Sequence, residues 1–295
     1  MTARQRYVVT NGIRLFCVED GPPSGPLVLF VHGWPEFWWS WRHQLPALAG
    51  AGYHAVALDL PGYGRSDKPD VTYDEEWVNT TIAGLVPAFG HERAVVVGHD
   101  WGGLLVWPFA RRFPGRTAGV VGVNTPDIAH GPMSLVSLLR MAMPDQPPYI
   151  VQFQDYGPAE YFLGRNRDTV ASWLRFVYEG AAHLKEIVTD ELVETYVEQY
   201  LPQGAVTTSV AYYRSLDRNW ELRASLPDVI DAPALMLSAA YDPVLTPAMT
   251  EGMEERVPNV RKVVIDDCGH WTQQEQPAET NRHLLEFLDS LDRWR

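Results

Sequence analysis

"VVVGHDWGG" (residues 95–103) is the stretch on which the reading of this chain turns. A β-branched run stops at Gly98, a carboxylate follows between His99 and Trp101, and two more glycines come just beyond. Glycines at 98, 102 and 103 allow a tight strand-to-helix turn without Cβ clashes, so the intervening side chain is thrust out of a sheet on a strained corner. The spacing is that of G-x-S-x-G with Asp100 in place of Ser. Two readings compete: Asp100 caps the following helix, or it is a nucleophile.

Outward from this corner, short apolar runs alternate with longer helical patterns. Strands are predicted at 27–33, 55–62, 93–100, 118–124, 232–239 and 261–267, and helices at 38–50, 74–89, 102–113, 246–256 and 277–291. Continuous β-branched runs are expected of parallel strands buried on both faces. Alternation of the two patterns implies an α/β fold with a mostly parallel, doubly wound sheet. Between Asn124 and about Leu226 the strand-like runs vanish; "HGPMSLVSLLRMAMP" and "DELVETYVEQYL" are amphipathic, and "PDQPPY" (144–149) is a Pro-rich break. That stretch reads as an inserted helical cap over 127–226, with 1–126 and 227–295 forming one core.

Composition narrows the function. The 295 residues, 46% hydrophobic, suffice for a large core with an insertion. With 37 acidic against 24 basic residues the net charge is −13, which argues against nucleic acid or an anionic membrane surface as partner. Cys17 and Cys268 stand far apart, so neither a disulfide framework nor a metal cluster is expected. The N-terminus enters alternating strand-like residues without the apolar stretch of a signal peptide, and the expectation is a soluble cytoplasmic protein. Oligomeric state leaves no mark.

In an open parallel sheet, ligands bind beyond the carboxyl ends of the strands, where Asp100 falls. A triad on such a sheet runs in the order nucleophile, acid, histidine. Asp242 follows the strand of "LMLSAAYDPVLTP", and His270 follows the last strand in "VVIDDCGHW". Asp266 and Asp267 lie too close to His270 for comfortable pairing, and Asn124 carries no charge. An Asp nucleophile is already anionic at neutral pH and can attack an sp³ carbon unaided. The resulting ester is resolved by water activated by His270, which Asp242 orients. Backbone N–H groups of Trp34, in "VHGWPE" (31–36), and Trp101 are the expected oxyanion donors.

"HGWPE", "DLPGYGRSDKP" (59–69), "GHDWGG" and "CGHWTQQEQP" (268–277) resemble the motifs of soluble-type epoxide hydrolases of the α/β-hydrolase fold. The resemblance implies that Asp100 opens an epoxide while cap tyrosines hold and protonate the departing oxygen. "YIVQFQDYGPAE" (149–160) is similar to the segment carrying the first, which places it at Tyr149; "YYRSLDRNW" (212–220) places the second at Tyr213. Tyr156 and Tyr212 are the neighbouring alternatives. The partners implied are an epoxide and water, with no metal or organic cofactor. An apolar, aromatic pocket is expected from Trp38, Trp39 and Trp41 and from Met133, Met141 and Met143, residues that core packing explains equally well.

Two other functions are open to such a chain. A haloalkane dehalogenase shares the Asp nucleophile, but that family commonly has Asn where this chain has Trp34; fluoroacetate dehalogenases usually carry Arg where it has Trp101. A non-catalytic receptor for a small ligand could use the same pocket, without need of a triad and paired tyrosines together.

Overall fold

The structure is a computed structural model that describes residues 3–143, 145 and 148–291. Pro144, Gln146 and Pro147 of the Pro-rich break lie outside the described residues.

Among the described residues, eight strands form one sheet: β1 (Arg4–Thr10), β2 (Ile13–Asp20), β3 (Leu27–Val31), β4 (His54–Leu58), β5 (Ala94–His99), β6 (Thr117–Val123), β7 (Ala234–Ala239) and β8 (Val260–Ile265). Their order is β1-β2-β4-β3-β5-β6-β7-β8. The six strands from β3 to β8 run parallel. β1 and β2 are antiparallel, joined through Asn11 and Gly12, both at positive φ, the geometry of a tight two-residue hairpin. The sequence shows β1 and β2 only as alternation, because β1 is an edge strand with most of its residues exposed.

β3, β4, β5, β6 and β7 are buried at every residue, which is why they read as mostly apolar runs. β8 departs from this expectation. It is the other edge strand and buries only Ile265. Side chains from the two sheet faces build two separate cores: Leu29, Val31, Val96 and Met236 lie on one, Val28, Phe30, Val97 and Leu237 on the other.

The predicted helices at 102–113 and 277–291 appear as Trp101–Arg112 and Pro277–Ser290. That at 74–89 is split into Glu75–Ala83 and Leu85–Ala88, and that at 38–50 into a 3₁₀ turn at Trp38–Trp41 and a helix at Gln44–Gly50. No α-helix forms over 246–256: two 3₁₀ turns, Pro247–Thr250 and Met253–Glu255, stand there instead. Gly252, at φ +70°, breaks the run between them.

Among the described residues, seven α-helices and one 3₁₀ turn between Leu135 and Arg223 separate β6 from β7 and form a helical insert. Its attachment is polar and specific. Arg111 donates to both carboxylate oxygens of Asp127 at the start of the insert and to the carbonyls of Pro227 and Asp228 at its end. Pro108 sits inside the helix Trp101–Arg112 and has no N–H for the Leu104 carbonyl; Arg223 of the insert donates to that carbonyl instead, at 3.1 Å. The helix Ala205–Arg214 is tied down by Tyr63 Oη to the Ser209 carbonyl and by Tyr212 Oη to the Pro61 carbonyl, at 3.0 and 2.8 Å.

Candidate active site

Four loops that leave the carboxyl ends of β3, β5, β7 and β8 converge at one place, bringing Trp34, Asp100, Asp242 and His270 together. The corner after β5 has the form its glycines imply. Asp100 adopts φ +50°, ψ −116°, a conformation that costs an L-residue on the order of 1–3 kcal/mol and persists only where the surroundings hold it. They do so by close approach: a Cβ on Gly98 would run into Gly102, one on Gly102 into the Val31 carbonyl, and one on Gly103 into Thr125. Thr125 Oγ1 also donates to the Asp100 carbonyl at 2.9 Å. The Asp100 side chain makes no capping hydrogen bond to the helix that follows, so capping does not account for it.

Asp100 Oδ1 accepts from Trp34 N at 2.8 Å, and Oδ2 lies 3.6 Å from His270 Nε2. Trp101 opens its helix, where an N–H has no intrahelical acceptor. Burial disfavours the charged carboxylate, but His270, His99 and the Trp34 N–H outweigh it and hold the Asp100 pKa below the usual carboxylate range.

On its other side, His270 Nδ1 lies 2.8 Å from Asp242 Oδ2. Burial works against the imidazolium, yet Asp242 foremost and Asp100 with it raise the His270 pKa to about 10. Burial would likewise raise Asp242, but His270 and the N–H groups of Leu245 and Val244 lower it to about 2. Asp266 and Asp267, the rivals for this position, are exposed.

Several residues to which sequence reasoning gave no role hold this group in place. Asn124, at φ +63°, donates to Asp242 Oδ2 at 2.6 Å and accepts from Thr272 Oγ1. His99 Nε2 donates to the His270 carbonyl at 2.7 Å, while its Nδ1 lies 2.8 Å from Glu36. Glu36, fully buried, also accepts from Gly33 N, Gln273 and Gln274. The available signal was a carboxylate two residues after Trp34 in "VHGWPE". His32 of that motif stays outside the reacting group: Leu60 N donates to its Nε2 and its Nδ1 bonds the Gly33 carbonyl. Burial lowers its pKa to about 4, so it pins two loops as a neutral ring.

Above Asp100 lies a cavity of about 600 Å³, lined with Trp34, Phe153, Trp173, Val177 and Trp271 among others. Trp34 stacks between Trp173 and Tyr149, with centroids 5.4 and 6.1 Å away. The aromatic character agrees with expectation, but the residues differ. Trp41 is buried against Phe30 in the sheet core, and Met133, Met141 and Met143 are exposed on the insert.

Tyr149 and Tyr213 both line the cavity with Asp100 and His270, their rings 5.7 Å apart. Tyr213 is 4% exposed and Tyr149 42%. Burial, with the Asp100 charge next, raises Tyr149 to about 12, and burial raises Tyr213 as well. The neighbouring alternatives are elsewhere: Tyr156 faces solvent under Arg214, and the Tyr212 hydroxyl is bonded to the Pro61 carbonyl. Among the described residues no group of three His, Cys, Asp or Glu could hold a metal ion, and no helix is long and apolar enough to cross a membrane.

This assembly offers an ionised carboxylate, an imidazole between two carboxylates, backbone donors and neutral phenols around one apolar space. Comparison with known proteins agrees on the kind of protein. Residues 26–277 match the model of the alpha/beta hydrolase fold family. Epoxide hydrolase A of Mycobacterium tuberculosis is 35% identical over 98% of both chains. Bifunctional epoxide hydrolase 2 of Sus scrofa is 36% identical over 96% of this chain, which spans 54% of that relative's length. Among solved structures, epoxide hydrolase A from Mycobacterium thermoresistibile superposes with a TM-score of 0.90 at 35% identity, covering 99% of each chain. An epoxide hydrolase from Vigna radiata gives 0.90 at 28% identity, over 98% of this chain and 99% of that one. On this evidence the chain is a hydrolase and belongs to the epoxide hydrolases of the α/β-hydrolase fold.

Proposed function

We propose that the protein converts an epoxide and water to a vicinal diol through an alkyl ester on Asp100. The arrangement that supports this most directly is Asp100 lining one cavity together with His270, Tyr149 and Tyr213. Asp100 Oδ2 attacks an epoxide carbon, the C–O bond breaks, and a tyrosine hydroxyl protonates the alkoxide. A phenol suits this step because it donates strongly without ionising at neutral pH.

Ester formation discharges Asp100. One of the two anions that stabilise the His270 imidazolium is thereby lost, so the ring gives up its proton to the tyrosinate left by ring opening and is a neutral base when water must be deprotonated. Hydroxide adds to the Asp100 carbonyl carbon; the oxyanion forms on Oδ1, where the Trp34 N–H already points, with Trp101 N–H as second donor. Collapse releases the diol, whose second oxygen takes the proton held by His270. The remaining proton of water leaves the Asp100 carboxyl for His270 and restores the carboxylate and imidazolium. Asp242 keeps His270 oriented throughout. In this reading 127–226 is the cap, and 1–126 with 227–295 is the hydrolase core.

A single turnover in ¹⁸O-labelled water tests the ester. Label is expected in Asp100, with enzyme-derived oxygen in the first diol; label only in that diol means direct hydration and ends this reading.

A further inference from the structure

The two tyrosines come from different parts of the insert and are not equally supported. Tyr213 sits in the helix Ala205–Arg214, which is fastened to the core by the Tyr63 and Tyr212 hydroxyls. Tyr149 opens the four-residue helix Tyr149–Gln152 and is half-exposed. A helix of one turn does not hold its own position in water, so the distance between the phenols is set by whatever joins these two segments.

Arg214, next to Tyr213, does so. Its Nε donates to the Phe153 carbonyl at 3.0 Å and its Nη2 to the Asp155 carbonyl at 3.1 Å, just past the Tyr149 helix. Nη2 also meets Glu160 Oε1 at 2.8 Å, and the guanidinium lies over the Tyr156 ring at 3.9 Å. Gln154 Nε2 returns the contact, donating to the Tyr213 and Ile150 carbonyls at 2.8 Å each. Glu160 Oε2 in turn accepts from Gly157 N. The arginine side chain is 8% exposed, and a planar fork can take a carbonyl edge and a carboxylate in fixed directions that an ammonium cannot.

We propose that Arg214 is a positioning residue for ring opening: it transfers the fixed placement of Tyr213 to Tyr149, so that both hydroxyls reach one epoxide oxygen. This rests on the reading of Tyr149 and Tyr213 as the acids. Arg214 touches neither Asp242 nor His270, so its effect is confined to ester formation.

The test follows ester formation and ester hydrolysis separately in single turnovers with styrene oxide, normalised to active sites, for Arg214→Lys and Arg214→Met. Ester formation is expected to slow roughly tenfold or more, the scale of a misplaced catalytic group, with hydrolysis of the ester unchanged. The same substitutions are then placed on Tyr149→Phe and on Tyr213→Phe. They are expected to add little on Tyr149→Phe, whose acid is already gone, and their full effect on Tyr213→Phe. Equal effects on both backgrounds, equal slowing of both steps, or no slowing at all overturns the proposal. If Arg214→Met does not fold, Arg214→Lys decides. If Tyr149→Phe and Tyr213→Phe each leave ester formation untouched, the acid assignment fails instead, whatever Arg214 does.

Discussion

Trp34 N donates to Asp100 Oδ1 at 2.8 Å, while Asp100 Oδ2 faces His270 Nε2 at 3.6 Å. The two oxygens of one carboxylate are therefore distinguished before any substrate arrives: one is gripped by the loop after β3, the other is turned toward the histidine and the cavity. An ester formed through Oδ2 leaves Oδ1 beside the donor that an oxyanion needs.

Separation of the two chemical steps follows from that arrangement. On the proposed mechanism His270→Gln removes the base for water but leaves Asp100 ionised and gripped by Trp34. The variant is expected to open one epoxide per site and stop, with turnover lower by about 10²–10⁴-fold. Intact-mass measurement after mixing with epoxide reads the outcome as a covalent increment on Asp100; an unmodified chain contradicts it.

On the proposed mechanism the tyrosines act in the other step. Tyr213→Phe is expected to slow ester formation more than Tyr149→Phe, because Tyr213 is buried at 4% exposure and Tyr149 is 42% exposed. A missing buried donor cannot be replaced by solvent, whereas water can partly substitute at the open position. Rapid-quench detection of the ester ranks the two variants, and the reverse order would show that access of water does not govern their contributions.

The His270–Asp242 pair ties stability to pH. Asp242 has its pKa lowered to about 2, so its contribution is complete above the ordinary carboxylate pKa of about 3.9 and is lost as pH falls through about 2. His270 is raised to about 10; its contribution is complete below the ordinary imidazole pKa of about 6.5 and is lost as pH rises through about 10. Both describe one ion pair and count once. Chemical unfolding of the parent and of Asp242→Asn is expected to differ most between about pH 4 and 6.5, with the difference shrinking on either side. A difference independent of pH would mean that the pair does not titrate on unfolding.

Glycines give a paired contrast. Gly180 lies in the helix Arg167–Ala181 at the cavity wall, and a Cβ there meets nothing within 4 Å. Gly180→Ala is expected to stabilise the fold by up to about 1 kcal/mol and to raise KM for bulky epoxides. Gly102→Ala instead drives a Cβ into the Val31 carbonyl and is expected to cost at least about 3 kcal/mol. Denaturant midpoints of the two variants check both signs.

Much of the sheet was readable because burial on both faces leaves β3, β5, β6 and β7 few polar positions. Edge strands carry no such mark, and β1 shows why: its outward residues are free to be polar. The segment 246–256 misled because helix-forming residues hide the break at Gly252. Choice of pocket residues failed for a related reason. Trp41 and Met141 are as apolar as Trp173, and only packing sends the first to the core, the second to the surface and the third to the cavity.

What the order of residues determined was the corner and the sequence of groups around it: an acid between glycines after one strand, then an acid and a histidine after two later strands. Local backbone chemistry dictates these, since only glycine tolerates such close approach and strand ends are where loops must begin. What folding alone decided was which distant groups meet. Tyr149 and Tyr213 line one cavity, while Tyr156 faces solvent and Tyr212 is tied to Pro61. Asn124 and Glu36 brace the site, and these partnerships depend on side-chain directions across segments as many as 238 residues apart, which no local pattern encodes.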